Sequence, residues 1–442
     1  MRKLGILSLV VISMMIVGWT SGGTGGGGPL SPPSKGVWPK MVLVPAGNAM
    51  IGMTRDDIMY QGIDPKMTSF SSFYMDESEI TNKQYREFVN WVRDSIAITA
   101  LGPSGAPEFF IKDPAGKAGG PVRIDWPAFN KQKKSFWTKY SDKLSNMYYS
   151  GLDALPGRKE IDVRRLRYAY SYVDYNLAVA FRSDSTKSRS DAIITYTDNP
   201  TPGKANEFAS VPVYPDTLAW KADFEYSQND PMVLSYFSHP SYDNYPVIGV
   251  TWEQANAYCN WRTMMYAADA ATKGKKKNNK AGLAFRLPTE QEFEYAARAG
   301  IKNEKFPWGD STIVDKGCKG SKASKGCLLA NFKPGIGNYT EDKGMYTMPV
   351  TSYKPNNYGL YNMAGNVAEW TSTTYSRASA SFVLDFNPNY HVGVKTQKVV
   401  KGGSWKDIAY NLQVASRAYE MQDKATSYIG FRCVASQVGS GK

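Results

Sequence analysis

Four cysteines, Cys259, Cys318, Cys327 and Cys433, are the side chains of this 442-residue chain best suited to redox or metal chemistry. A thiolate attacks disulfides and binds soft metals. An even count in an exported chain equally suits two disulfides, and four cysteines allow three pairings among which the sequence does not choose. The two histidines, His239 and His391, stand far apart, so no HExxH or paired-His motif exists and a His-based zinc site is not expected. His239, alone before Pro240, is expected to pack rather than to ligate. The basic run Lys273 to Lys280 (KGKKKNNK) offers an anionic partner a site. It lacks the aromatic interleaving of a nucleic-acid surface and reads as a solvated loop.

These groups need elements to hold them. Thr81 with Gln84, Thr251 with Gln254 and Thr289 with Glu292 each have the capping-box spacing that starts a helix. After the first, Tyr85, Phe88, Val89 and Val92 fall at helical period, which predicts an amphipathic helix. The run 41–53 (MVLVPAGNAMIGM) predicts strand, Pro-Ala-Gly turn, strand. Tyr168, Tyr170 and Tyr172 alternate with period two and predict a half-buried strand whose rings pack in a sheet. Residues 95 to about 240 carry scattered Pro, Gly and charge and read as an elaboration inserted into one domain.

Composition agrees with a loop-rich globular chain: 42% hydrophobic, 21% charged, 39 Gly and 25 Pro. This excludes a coiled coil, a collagen-like repeat and a mainly disordered chain. Net charge of +13 favours anionic partners without choosing among them. Residues 1–18 read as a signal peptide, with Arg2 and Lys3 before the apolar run Leu4 to Val17, and residues 19–37 as a Gly/Pro-rich tether. Residues 38–442 then form one domain with its insertion. Ile16-Val17-Gly18 is similar to the start of a lipobox, but Trp19 stands where the lipidated Cys belongs.

From residue 246 motifs accumulate: 246–252 (PVIGVTW), 257–261 (AYCNW), 285–297 (FRLPTEQEFEYAA), 306–309 (FPWG), 358–370 (YGLYNMAGNVAEW), 401–405 (KGGSW) and 430–433 (GFRC). In that order, with the early strands and helix, they resemble the formylglycine-generating enzyme (sulfatase-modifying factor) domain over roughly 41–94 and 241–435. The resemblance implies an α+β, irregular C-type-lectin-like fold. It also implies copper(I) held by two cysteines after Gly-Gly-Ser, one of which engages the substrate cysteine. Here those positions are Asp407 and Leu412. A carboxylate is a hard ligand and leucine is none, so no copper and no oxidase activity are expected. The resemblance further implies a disulfide between Cys259 and Cys433, leaving Cys318 with Cys327. It implies calcium at Asn331, Phe332, Asp342 and Gly344, and again at Asn362, Gly365, Val367 and Glu369, oxygen-rich sets that suit a hard cation.

A narrower resemblance is carried by 74–95 (YMDESEITNKQYREFVNWVRDS), 215–220 (PDTLAW), 229–232 (NDPM) and 239–246 (HPSYDNYP). These are similar to the GldK/PorK lipoproteins of the type IX secretion and gliding machinery. That resemblance implies a non-enzymatic subunit of a periplasm-facing outer-membrane ring, self-associating and bound to a PorN/GldN-type partner. Peptidoglycan is a further expected contact, and nucleic acid is not. Two other readings stay open on the sequence: a residual enzyme using another group, and a calcium-dependent glycan or peptidoglycan binder.

Overall fold

A computed structural model describes residues 39–52, 65–111, 123–223, 230–273, 283–302, 304–309, 311–318, 326–335, 340–375 and 396–437. The expected signal and tether, Trp19, His391 and the basic run beyond Lys273 lie outside the described residues.

Strands β1 (Met41–Val44) and β2 (Gly47–Ile51) flank the expected turn but do not pair with each other. β2 pairs with β3 (Lys66–Phe70), and β1 pairs antiparallel with β4 (Phe73–Asp76), Met41 opposite Asp76. Helix α1 (Asn82–Gly105) begins at the expected capping box: the Gln84 N–H donates to Thr81 Oγ1 at 3.3 Å and the Thr81 N–H to the Gln84 side chain at 2.9 Å. Tyr85, Phe88, Val89 and Val92 are all buried, as their period predicts. The helix kinks at Gly102, where φ is +65°, just before Pro103.

The described residues between 95 and about 240, read from the sequence as an insertion, are folded and tied to the rest. Helix α2 (Trp126–Lys139), capped by Asp125, buries Phe129 and Phe136. With Ala97, Ile98, Phe109, Tyr140 and Met147 they make a small core of their own. Strands β5 (Arg167–Tyr168) and β6 (Tyr170–Val173) carry the tyrosine ladder. Tyr168 and Tyr170 are buried and stack at 5.3 Å, while Tyr172 continues the stack at the half-exposed edge. β7 (Ile193–Thr197) and β8 (Glu207–Ala209) complete a sheet with β6, and β9 (Val211–Pro212) pairs β5. Tyr168, Tyr170 and Val211 pack into the main core with Tyr85, Phe88 and Trp261, so the insertion shares the core of one body.

Helix α3 (Trp252–Lys273) and helix α4 (Glu290–Arg298) start at the other two capping boxes, on either side of β10 (Leu283–Arg286). The last strands are β11 (Ala368–Thr374), β12 (Gln397–Lys401), β13 (Ala418–Met421), β14 (Ile429–Gly430) and β15 (Val434–Gln437). One sheet runs β1-β4-β15-β10 and another β13-β12-β11-β14. The chain passes from the second to the first through Phe431, Arg432 and Cys433, all with no exposed surface. The short strands and long loops are the α+β architecture the sequence predicts.

Candidate functional site

The motif loops converge on Asn366. Its left-handed backbone, φ +68°, is a conformation asparagine tolerates better than most residues. Its N–H donates to the Asn331 carbonyl at 2.8 Å, and its own carbonyl accepts from the Trp405 N–H at 2.9 Å. Its side-chain amide donates to Glu79 at 2.9 Å and to the Met348 carbonyl at 3.2 Å, while its oxygen accepts from Asn331 and from the Met348 N–H. Through its side chain and backbone together, this one residue joins loops near residues 79, 331, 348 and 405. Gly365 allows the approach: a Cβ there would lie 2.5 Å from the Asn331 carbonyl oxygen.

The loop after Gly-Gly-Ser holds the two positions where the resemblance requires cysteine. Asp407 closes a turn: its carboxylate accepts from the Ser404 N–H at 2.9 Å, the Ser404 hydroxyl at 2.6 Å and the Asn411 amide at 3.0 Å. Its carbonyl accepts from the Lys333 N–H at 2.8 Å. Leu412 has no exposed surface and packs with Phe306, Phe332 and Ala364. One position is a satisfied structural carboxylate and the other is core.

The first expected calcium set lies together. Asp342 accepts from the Phe332 N–H at 2.8 Å and the Gly344 N–H at 3.2 Å, and burial raises its carboxyl above the usual range. A Cβ on Gly344 would lie 3.1 Å from Asn331 Oδ1. That amide oxygen is buried without a hydrogen-bond partner among the described residues. An orphaned buried amide oxygen and a carboxylate in neighbouring loops are donors of the kind a hard cation takes, so the chemistry of the set is compatible with calcium. The second set differs. Asn362 Oδ1 is similarly orphaned, but both Glu369 oxygens are held by Arg432, at 2.7 and 2.6 Å. The charged donor of that set is thus paired with Arg432.

Sequence reasoning missed the buried charges around this hub. Glu79, with no exposed surface, receives both Asn362 and Asn366 and is pushed up to about 8 by burial, with Arg432 pulling the other way. Asp76 pairs bidentately with Arg262 at 2.7 and 2.9 Å and accepts the Cys433 N–H. The only signal was a charged residue set in an apolar run, as in Gly-Phe-Arg432-Cys-Val and Val-Ala-Glu369-Trp.

Cys318 and Cys327 are disulfide-bonded, with Cα atoms 5.5 Å apart. Cys259 and Cys433 are brought together in the core but as thiols, with sulfurs 3.3 Å apart against about 2.05 Å for a bond. His239 is corrected: it is exposed rather than packed, and its Nδ1 accepts the Ser241 N–H at 3.2 Å to cap a short helical turn. Among the described residues no cluster of three His, Cys, Asp or Glu could hold a metal, and no helix is long and apolar enough to cross a membrane.

Known proteins resemble this chain. The mouse formylglycine-generating enzyme is 36% identical over 201 residues, 44% of this chain and 45% of that one. The mouse inactive C-alpha-formylglycine-generating enzyme 2 is 32% identical over 197 residues, 43% of this chain and 49% of that one. The alignments thus span about half the length of these curated relatives. Among solved structures, PvdO from Pseudomonas aeruginosa superposes over 90% of this chain and 95% of its own, at 16% identity and a TM-score of 0.44. The sulfatase-modifying factor enzyme 1-like domain matches residues 29–165 and 173–437, nearly the whole described chain, and the chain belongs to that family.

Proposed function

We propose that this chain is a non-catalytic member of its family, used as a structural subunit of a ring at the periplasmic face of the outer membrane in type IX secretion and gliding. The observation that carries the non-catalytic reading is the pair Asp407 and Leu412. Thiol exchange and copper(I) binding both need thiolates, and these positions hold a turn-closing carboxylate and a buried hydrocarbon. The existence of inactive relatives at similar identity supports the same reading. The ring reading rests on the motifs at 74–95, 215–220, 229–232 and 239–246 and on the folded insertion, which adds surface to the shared core. Ring subunits use heterologous interfaces that close on themselves, here with further copies and a PorN/GldN-type partner.

Gentle detergent extraction, followed by electron microscopy and mass spectrometry, is expected to return a large ring containing one second protein. In parallel, the chain is expected to leave a cysteine-containing sulfatase peptide unmodified in the presence of copper. A lone monomer would overturn the ring, and product formation would overturn the non-catalytic reading.

Calcium belongs to this proposal as a structural ion at Asn331, Phe332, Asp342 and Gly344, where it would fix the loops that meet at Asn366. Adding calcium to chelator-treated protein is expected to raise stability, by about 1.4 kcal/mol at a tenfold excess over Kd. Asp342→Asn should abolish the rise. A thermal midpoint indifferent to calcium, or a rise that survives Asp342→Asn, would remove the ion from this set.

A further inference from the structure

Helices α1, α2 and α3 meet around a cavity of about 230 Å³. Positions 84, 87 and 91 of α1 share one face at helical spacing and present Gln84, Glu87 and Trp91 to it. Trp261 comes from α3. The insertion supplies the rest through α2: Trp126 stacks on Trp91 with ring centroids 5.1 Å apart, and Asn130 follows one turn later. The cavity exists because the insertion folds back onto the core helices.

Its size and charge narrow the occupant. At ~30 Å³ per water, the volume holds roughly eight waters, enough for one six-membered ring with substituents. Asp94, buried on the same wall, is neutralised by Arg93 at 2.9 and 2.7 Å and by Lys133 at 3.0 Å. Counting the exposed Glu87, the two carboxylates of this wall are balanced by Lys133 in the lining and by Arg93, which pairs with Asp94 from outside it. An aromatic cage for a cation needs a net negative surround and an anion site a net positive one; neither is present. The polar groups on the rim are also wrong for a plain aromatic side chain, which would leave them unmet. Gln84 spends its oxygen on the Thr81 N–H and keeps an NH2 donor. Glu87 offers an acceptor, and Asn130 offers both.

We propose that this cavity binds a neutral hexopyranose unit of a glycan. The apolar C–H face of the sugar rests on the indoles of Trp91, Trp126 and Trp261, and its hydroxyls exchange hydrogen bonds with Gln84, Glu87 and Asn130. No residue of either calcium set lines the cavity, so binding is independent of calcium. The site goes beyond the ring reading: it gives the insertion a ligand as well as a surface.

The test uses the full chain, with methyl glucoside and N-acetylglucosamine titrated separately and followed by tryptophan fluorescence and saturation-transfer NMR. A saturable response on the order of millimolar Kd is expected for at least one sugar, as a small ligand with few contacts allows. Trp126→Ala should weaken it roughly tenfold, the loss of one anchor. Because Trp126 also packs on Phe129, Asn130→Ala at an exposed position is the second variant, with circular dichroism to show that it stays folded. It should weaken binding as well, and chelator should change nothing. No saturable response to either sugar, or full binding by folded Asn130→Ala and Trp126→Ala, would overturn the proposal. So would saturable binding of tetramethylammonium or N-acetyltryptophanamide in place of the sugars, which would make the cavity a cation cage or a seat for a protein side chain.

Discussion

Replacing Arg432 with methionine is expected to cost about 3–5 kcal/mol of folding stability, the range for breaking a buried ion pair by removing one partner. The guanidinium has no exposed surface and uses its whole fork: two bonds to Glu369, one to the Tyr361 carbonyl at 2.9 Å and one to the Asp76 carbonyl at 3.3 Å. Without it, Glu369 is left in the core without its cation, beside Glu79, and burial favours protonation of both. The two sheets are joined through this residue, so the loss should appear as a lower denaturant midpoint of the whole domain rather than as local fraying. Arg432→Met/Glu369→Gln should recover much of the loss, because a buried pair is worth little against neutral replacements. A single variant as stable as the native chain would mean that the pair contributes nothing. Recovery of the single variant by calcium alone would instead make the second oxygen set a cation site once Arg432 is gone.

The elements around this pair were legible in the sequence, and the pair itself was not. Capping boxes at Thr81, Thr251 and Thr289 and the period of Tyr85, Phe88, Val89 and Val92 are local signals that tertiary packing did not overrule. The tyrosine ladder is split between two short strands, β5 and β6, rather than lying on one, yet its rings still stack because alternate residues share one face. By contrast, Glu369 and Arg432 are 63 residues apart and Asn362 and Glu79 are 283 apart. Nothing in residue spacing encodes such a meeting. The same holds for β1 and β2: the turn between them was readable, but their separate partners β4 and β3 are set by the rest of the domain. His239 was misjudged for a related reason. A histidine before proline has the geometry to cap the turn that the proline starts, and capping leaves it at the surface.

The pH dependence of stability is expected to expose Lys398, a second buried charge that the sequence concealed within a strand. Lys398 lies on β12, 3% exposed, with its amine donating to Thr374 at 3.0 Å and standing 4.2 Å from the centre of the Trp252 ring. Burial lowers its pKa from 10.5 to about 8, with Asp174 and Glu253 offsetting part of the effect. The native state therefore prefers the neutral amine. Above pH 10.5 both states are neutral and the full stability is present. As pH falls from 10.5 to 8 the unfolded chain takes up a proton that the native chain resists, and stability drops by up to about 3 kcal/mol. Below pH 8 both states are charged and the loss is constant. Lys398→Met removes this dependence while keeping an unbranched side chain of nearly the same reach. Urea unfolding at pH 7 should find the variant more stable than the native chain by about 1–3 kcal/mol, and the gap should close toward pH 10.5. Tyrosines also titrate in that range, but they do so in both proteins and cancel in the difference. Parallel curves for the two proteins would show that its neighbours in the native state stabilise the charged amine as well as water does.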